Sequence, residues 1–469
     1  MDGVVADQEA APEAPEAPPV AERGGTIAKT TSRAAPPDHS NRNTAVLVGF
    51  TALTNLADGV TKVVLPLMAT RLTDSPAQIA GVALTLTLPW LLVALHVGVL
   101  VDRFDRRLLL WLADGARMLV VAALLVLALR EAVTVPALYA AGLVLGVAEV
   151  VALTSAATLV PSLVAPAGRE RANAWVAGAE TACNEFCGPF VGGLLVAAGA
   201  SVALGWTGVG YLIGTLILLL LVGRFKPASD GARPTGSVNQ RIAEGVRFLW
   251  QQRLLRLMAL ALTVLSACWG AWLALMPLVA TTLMDLDTRE YGLLLSALGA
   301  GGLVGAVTVT SVNRLLGRRW SMFADLIGTA AMVAAPVLST SLWVVAGGAF
   351  LGGMGGILWT VNARTISQRL VPDAMLGRYN AAARLFSWGA MPLGAGLVGV
   401  LAEWFGIRTA FAVFALATLV IIVPFLRTVT PRALAEATGQ GAGPHAAPAA
   451  AHEGVPAAAP ESVPAPAHD

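Results

Sequence analysis

The chain has 469 residues, of which 56% are hydrophobic and 13% charged, and its formal net charge is +2 at pH 7. Soluble domains carry roughly 45–50% apolar residues, so this composition excludes an ordinary soluble enzyme. The near-neutral charge offers no basic field for nucleic acid.

In chain order, residues 1–43 are rich in Ala, Pro and Glu ("QEAAPEAPEAPPVAERGG") and hold too few large apolar groups to offset the entropy of ordering, which predicts a disordered cytoplasmic tail. Apolar segments of about twenty residues follow, each able to cross a hydrocarbon core of roughly 30 Å as a helix. Twelve are expected: 44–69, 78–100, 108–129, 136–160, 172–198 and 202–222, then 255–281, 290–312, 320–339, 342–363, 378–402 and 409–427. Between the sixth and the seventh lies the longest internal loop. Its Ile242, Val246 and Leu249 recur at near-helical spacing among arginines, which predicts an amphipathic helix on the cytoplasmic surface. The expected organisation is a tail over 1–43, a six-helix bundle over 44–222, a linker over 223–253, a second six-helix bundle over 254–430 and a disordered cytoplasmic tail over 431–469. The fold class is an all-α polytopic membrane protein.

With these segments the loops alternate sides, and the arginines choose one. Arg103, Arg106, Arg107, Arg169, Arg171, Arg314, Arg318, Arg319, Arg364 and Arg369 fall in one set, whereas the other holds only Arg71, Arg130, Arg289 and Arg408. By the positive-inside rule both termini are then cytoplasmic, in a plasma-membrane protein.

The two bundles repeat one another. "LVPSLVAPAGRERANA" (159–174) is answered by "LVPDAMLGRYNAAA" (370–383), "GPFVGG" (188–193) by "MPLGAG" (391–396), and "DRFDRRLLLWLAD" (102–114) by "NRLLGRRWSMFAD" (313–325). Six segments separate each pair, so the repeats are parallel, an arrangement found in secondary transporters.

Ionisable groups at membrane depth are expensive and are functional suspects. Asp58, Arg117, Glu149 and Glu185 fall near the midplane, with Glu180 nearer the cytoplasm and Lys62 nearer the outside, all in the first half. Asp58 with Lys62, and Asp114 with Arg117, are spaced to pair along one helix face. Acids outnumber bases, so at least one carboxylate lacks a full-time partner and can take up a proton near neutral pH. Glu149 and Glu185 are the first candidates, then Asp58 and Glu180, with Arg117 as counter-charge. The second half is expected to hold almost no midplane charge but several large side chains, Trp269, Trp272, Trp359, Asn362 and Trp388. These are candidates for an aromatic cavity wall that faces the acids. Cys183, Cys187 and Cys268 are read as packing residues. Asp102, between the second and third segments, is placed to accept from free backbone N–H groups at the next helix start.

No nucleotide or metal cofactor is expected. Lys29, Lys62 and Lys226 follow no phosphate-binding loop, and no HExxH is present. No nucleophile and base are set together, so the chain is not expected to be an enzyme.

Gly98, Asp102, Arg103, Arg106 and Arg107 resemble the loop 2–3 motif of the major facilitator superfamily, and Gly188, Pro189, Gly192 and Gly193 resemble the helix 5 motif of its drug/proton antiporters. The paired "LVP…GR…NA" loops and "RIAEGVRFLW" are similar to the bacterial branch of siderophore and macrolide exporters, over about residues 45–430. The resemblance implies the twelve-helix fold and a gate in which Asp102 and a neighbouring arginine latch the halves together. It also implies efflux of a hydrophobic or amphipathic small molecule by alternating access, driven by the proton gradient and performed by a single chain in the bilayer. The chain departs from the motif at Asp105, where the family usually has Gly, and at Asn313 in the second half. An uptake permease, a lipid flippase and a non-transporting receptor are the alternatives.

Overall fold

Hydrocarbon offers no hydrogen bonds to a peptide, so a spanning chain must satisfy its backbone internally. The computed structural model describes residues 39–101, 103–165, 168–222 and 238–438, and among these the regular structure is helical. The expectations for residues 1–38, for 223–237 of the linker, for 439–469 and for the Asp102 latch lie outside the described residues.

The first half comprises α1 (Ser40–Ala69), α2 (Pro76–Leu92), α3 (Ala94–Val101), α4 (Arg106–Leu129), α5 (Val135–Leu163), α6 (Arg169–Thr181), α7 (Gly188–Ala198) and α8 (Ala200–Ile217). A π-helical turn, Ala182–Cys187, joins α6 to α7. The amphipathic α9 (Val238–Gln251) precedes α10 (Arg253–Thr282), α11 (Thr288–Leu338), α12 (Leu342–Leu370), α13 (Asp373–Ser387), α14 (Ala390–Phe405), α15 (Ile407–Thr428) and α16 (Pro431–Thr438).

Nine of the described helices are long and apolar enough to cross a membrane. The difference from the twelve expected segments has local causes. The segment 78–100 breaks at Val93, just after Pro89, into α2 and α3, because a proline inside a helix removes a backbone hydrogen bond. The segments 290–312 and 320–339 fall on the single long α11, which is interrupted at Gly317 with φ 81°, a conformation that only glycine adopts without strain, and the segment 172–198 is divided by the π turn Ala182–Cys187.

Helix starts follow local chemistry. Ser75 and Thr134 cap α2 and α5, and Asp287 with Glu290 forms a capping box on α11. The cap of α4 is Asp105, which accepts from the N–H groups of Arg107 at 2.9 Å and Leu108 at 3.2 Å. Asp105, directly before the helical run, is the residue in capping position. Residues 431–438, expected in the tail, are helical because Thr430 caps α16 and Leu434 is buried in the second-half core.

The repeat is visible in the turns. Gly199 (φ 127°), between α7 and α8, and Gly406 (φ 85°), between α14 and α15, mark the same reversal in each half. The two halves share one apolar core at the arginine-poor end, where Val64, Leu86 and Leu204 join Trp272, Leu298 and Val398. At the arginine-rich end the cores separate. Leu47, Leu110 and Leu159 belong to one, Met258, Met322 and Phe425 to the other. A cleft that opens between the halves therefore opens toward the arginine-rich end.

The seal at the other end is made by small residues and one carboxylate. A Cβ on Gly193 of α7 would lie 2.6 Å from the Cα of Gly292 on α11, and one on Gly399 of α14 would lie 2.7 Å from the Cβ of Ala80 on α2. Glu403 of α14 accepts from the Ser75 hydroxyl at 2.8 Å and the Ala77 N–H at 3.2 Å, at the start of α2.

Candidate functional site

Asp58 and Lys62 sit one turn apart on α1, but they do not pair as the spacing predicts. Each is drawn to a different neighbouring helix. Asp58 binds Arg117 of α4 at 2.8 Å and accepts from the Tyr211 hydroxyl of α8 at 2.7 Å. Arg117 also holds Asp114 at 2.8 Å, and its guanidinium lies 5.2 Å over the Tyr211 ring. Asp58, Asp114 and Arg117 are all buried. The cluster is compact: one arginine serves two carboxylates, hydroxyls from Tyr211 and Thr215 reach the same carboxylates, and Arg117 Nε is left without a hydrogen-bond partner among the described residues. A charge pair this deep persists only if its hydrogen bonds are made.

The second cluster is more open. The Lys62 ammonium donates to Glu149 of α5 at 2.8 Å and to the Asn184 side-chain oxygen at 2.8 Å. The Asn184 amide in turn donates to Glu149 at 2.9 Å and to Asn55 at 3.0 Å. Glu149 is buried, while the Lys62 side chain keeps 18% exposure. Its counter-charge is Lys62 rather than Arg117.

Asn184 belongs to the π turn, and Pro189 explains that turn. Proline has no N–H for the carbonyl four residues earlier, at Glu185, and a wider turn absorbs the mismatch. Gly188 brings the turn onto α1, since its Cβ position is 2.6 Å from the Cα of Gly59. Gly192 packs on Val60 of the same helix, and Gly193 faces the other half. The helix 5 motif thus performs two close approaches, one within the first half and one between halves.

Glu185 is half-buried and makes no hydrogen bond or ion pair among the described residues. Lys62, Glu180 and Glu149 are the charged groups that act on it. Glu180, also half-buried, feels Arg384 and Arg364 of the second half. Glu149 thus holds the lysine directly, while Glu180 and Glu185 feel its charge without a hydrogen bond or ion pair to it among the described residues.

In the second half, Trp272 and Trp359 are enclosed in the cores, the latter 6.2 Å from Phe425. Asn362 is buried and donates to Asn313 at 3.0 Å, tying α12 to α11. Trp269 is half-buried beside Gly356. Trp388 alone of this set reaches the first-half charges. It stacks on Trp90 of α2 at 5.0 Å and carries Lys62 over its ring at 5.8 Å.

Around the loop after α3, Gly98 has open space at its Cβ position, and Arg107 lies 4.9 Å over Trp111. Arg103 and Arg106 belong to the same arginine-rich loop and α4 start.

Four residues escaped the sequence reading: Asn55, Asn184, Tyr211 and Asp325. Asp325 of α11 is buried at 2% exposure and accepts from Thr329 at 3.2 Å. It stands where Asp114 stands in the other half, but the arginine's place is taken by Gly328. The signal was present in the repeated "LAD" and "FAD". No cluster of His, Cys, Asp and Glu able to hold a metal occurs among the described residues.

Residues 39–450 match the model of a family described as transmembrane secretion effectors. The multidrug efflux pump Tap of Mycobacterium tuberculosis (strain ATCC 25618 / H37Rv) is 30% identical over 398 residues, covering 81% of this chain and 91% of that protein. The enterobactin exporter EntS of Escherichia coli O1:K1 / APEC is 28% identical over 361 residues, covering 75% and 83%. Among solved structures, a bacterial homologue of the human lysosomal transporter Spinster, inward-facing and occupied, superimposes with a TM-score of 0.64 at 13% identity, over 86% of this chain and 99% of that one.

Proposed function

The chain belongs to the transmembrane secretion effector family, within the major facilitator superfamily of membrane transporters, and from that premise we propose that it exports a hydrophobic or amphipathic small molecule by proton antiport with alternating access. The observation that carries the coupling is the imbalance around Lys62: its ammonium binds Glu149 and Asn184, while Glu185, which feels the charge of Lys62, has no hydrogen-bond partner among the described residues. A carboxylate in such a place can exchange a proton when the lysine moves or the cleft opens. Asp58, Asp114 and Arg117 form the fixed part of the first half, against which that exchange is made.

Direction and substrate class rest on the relatives. Tap is named for multidrug efflux and EntS for export of enterobactin, and a shared cleft with charged and aromatic walls suits molecules of that kind. The arginine-rich end is assigned to the cytoplasm of the plasma membrane, with both termini there. Twelve spans in two six-helix bundles, 44–222 and 254–430, work as one chain, and Gly98, Asp102, Arg103, Arg106 and Arg107 gate the cytoplasmic end.

The test uses inverted membrane vesicles and a panel of lipophilic antibiotics and dyes, with and without an imposed pH gradient. Uptake that follows the gradient in the wild type and is uncoupled from it in Glu149→Gln or Glu185→Gln supports antiport at that acid. Gradient-independent uptake that survives both changes overturns it.

A further inference from the structure

Trp388 is a second-half residue lodged in a first-half pocket. It joins the apolar cluster of Trp90, Val97, Val150 and Leu153, contributed by α2, α3 and α5. One face of its ring lies on Trp90, with centroids 5.0 Å apart and planes inclined by 29°. The Lys62 ammonium is 5.8 Å from its centroid. A flat slot, walled by an indole and topped by a cation, is thus filled by the protein's own side chain.

Trp388 is also placed to leave. It occupies the break between α13 and α14, where Pro392 cannot supply an N–H to its carbonyl. Trp90 lies beside the matching break in the second span, between Pro89 and Val93. When the shared core at the arginine-poor end parts, α14 must separate from α2 and the stack with it. The slot then stands empty on the first half. Trp90 Nε1 is buried without a hydrogen-bond acceptor among the described residues, a donor that an incoming molecule can satisfy.

We propose that this slot is an aromatic subsite for the transported molecule, which takes a planar, electron-rich ring such as a phenol or naphthol between Trp90 and Lys62, with Trp388 as its placeholder. The chemistry follows from the two walls. Trp90 rewards any flat ring, and the Lys62 ammonium attracts the negative face of an electron-rich ring. The subsite rests on the transport reading, but its test does not need transport.

The experiment measures equilibrium binding to the purified full-length chain in detergent, with 2-naphthol as the electron-rich probe and N-methylquinolinium as a flat cation of similar size. A slot filled by its own side chain weakens apparent affinity by the fraction of time it is vacant. Trp388→Ala is therefore expected to bind 2-naphthol about tenfold more tightly than wild type. Adding Lys62→Gln to Trp388→Ala should remove most of that gain, whereas binding of N-methylquinolinium should not weaken when the lysine is removed. Trp90→Phe, which keeps a stacking face, should retain binding where Trp90→Ala loses it, separating lost contact from misfolding. Unchanged or weaker naphthol binding in Trp388→Ala overturns the subsite, as does a gain that survives Lys62→Gln. Gradient-driven uptake in vesicles with no Trp388→Ala effect on binding would sink the subsite alone, whereas the expected binding pattern without uptake would sink the antiport reading alone.

Discussion

Glu185 and Trp388 occupy corresponding positions in the two halves, each four residues before a helix proline, Pro189 and Pro392. In both places the missing proline N–H frees a carbonyl and breaks the regular helix, as a π turn at Ala182–Cys187 and as the gap between α13 and α14. One repeat uses the irregularity to present a carboxylate, the other an indole. Lys62 lies under the influence of both, through charge on one side and its position over the ring on the other. Movement of the second half against the first therefore changes the surroundings of the lysine directly.

The approach of the π turn to α1 depends on Gly188. A Cβ there would meet the Cα of Gly59 at 2.6 Å, and neither backbone can give way without parting the helices. Gly188→Ala is expected to lower stability by about 1–3 kcal/mol and to abolish gradient-dependent uptake by drawing Asn184 away from Lys62. Thermal unfolding in detergent together with vesicle uptake checks both. Gly98→Ala, with open space at its Cβ position, should leave the unfolding temperature near wild type.

Arg117 neutralises Asp58 and Asp114 in a buried site. Arg117→Met leaves two carboxylates without a cation, and removing one partner of a buried pair costs about 3–5 kcal/mol. The triple change Asp58→Asn, Asp114→Asn and Arg117→Met should recover most of that loss, because the hydrogen-bonding shapes remain and the charges are gone. A triple variant no more stable than Arg117→Met would mean that the cluster acts through shape rather than charge.

Apolar runs made the helices legible to within a few residues at most ends, because backbone satisfaction acts on every one of them alike. Charge partners were not legible. Spacing marked Asp58 and Lys62 as neighbours on one helix, but partners on α4, α5 and the π turn captured each of them. Asp114 and Arg117 did pair as their spacing predicted, since both project from one face of α4 toward Asp58. Asn184 was hidden because a π turn rotates its side chains away from the positions that regular helical counting assigns. The sequence marks Trp388 only as a wall residue, because its place on Trp90 depends on how the halves meet.

Glu403 joins the halves by accepting from Ser75 and Ala77 at the start of α2, where the helix dipole favours a negative charge. Glu403→Ala removes the acceptor while leaving the glycine contacts in place. It should shift the population away from the state closed at the arginine-poor end by about two- to fivefold. Distances between spin labels on the loops near residues 73 and 285 report that shift. An unchanged distance distribution would make the contact incidental.

Asp325 provides the contrast that separates the halves. It repeats Asp114 in sequence and burial, but has Gly328 at the arginine's position and only the Thr329 hydroxyl as a partner among the described residues. A carboxylate enclosed without a counter-charge gains nothing from ionisation that an amide cannot replace, since Asn can also accept from the Thr329 hydroxyl. Asp325→Asn is therefore expected to keep or raise the unfolding temperature, whereas Asp114→Asn, which breaks the pair with Arg117, should lower stability by about 1–3 kcal/mol. Vesicle uptake gives the second readout. If Asp325→Asn keeps its stability but loses gradient dependence, the second half also takes part in proton exchange. If both stability and coupling persist, the coupling charges belong to the first half, around Lys62.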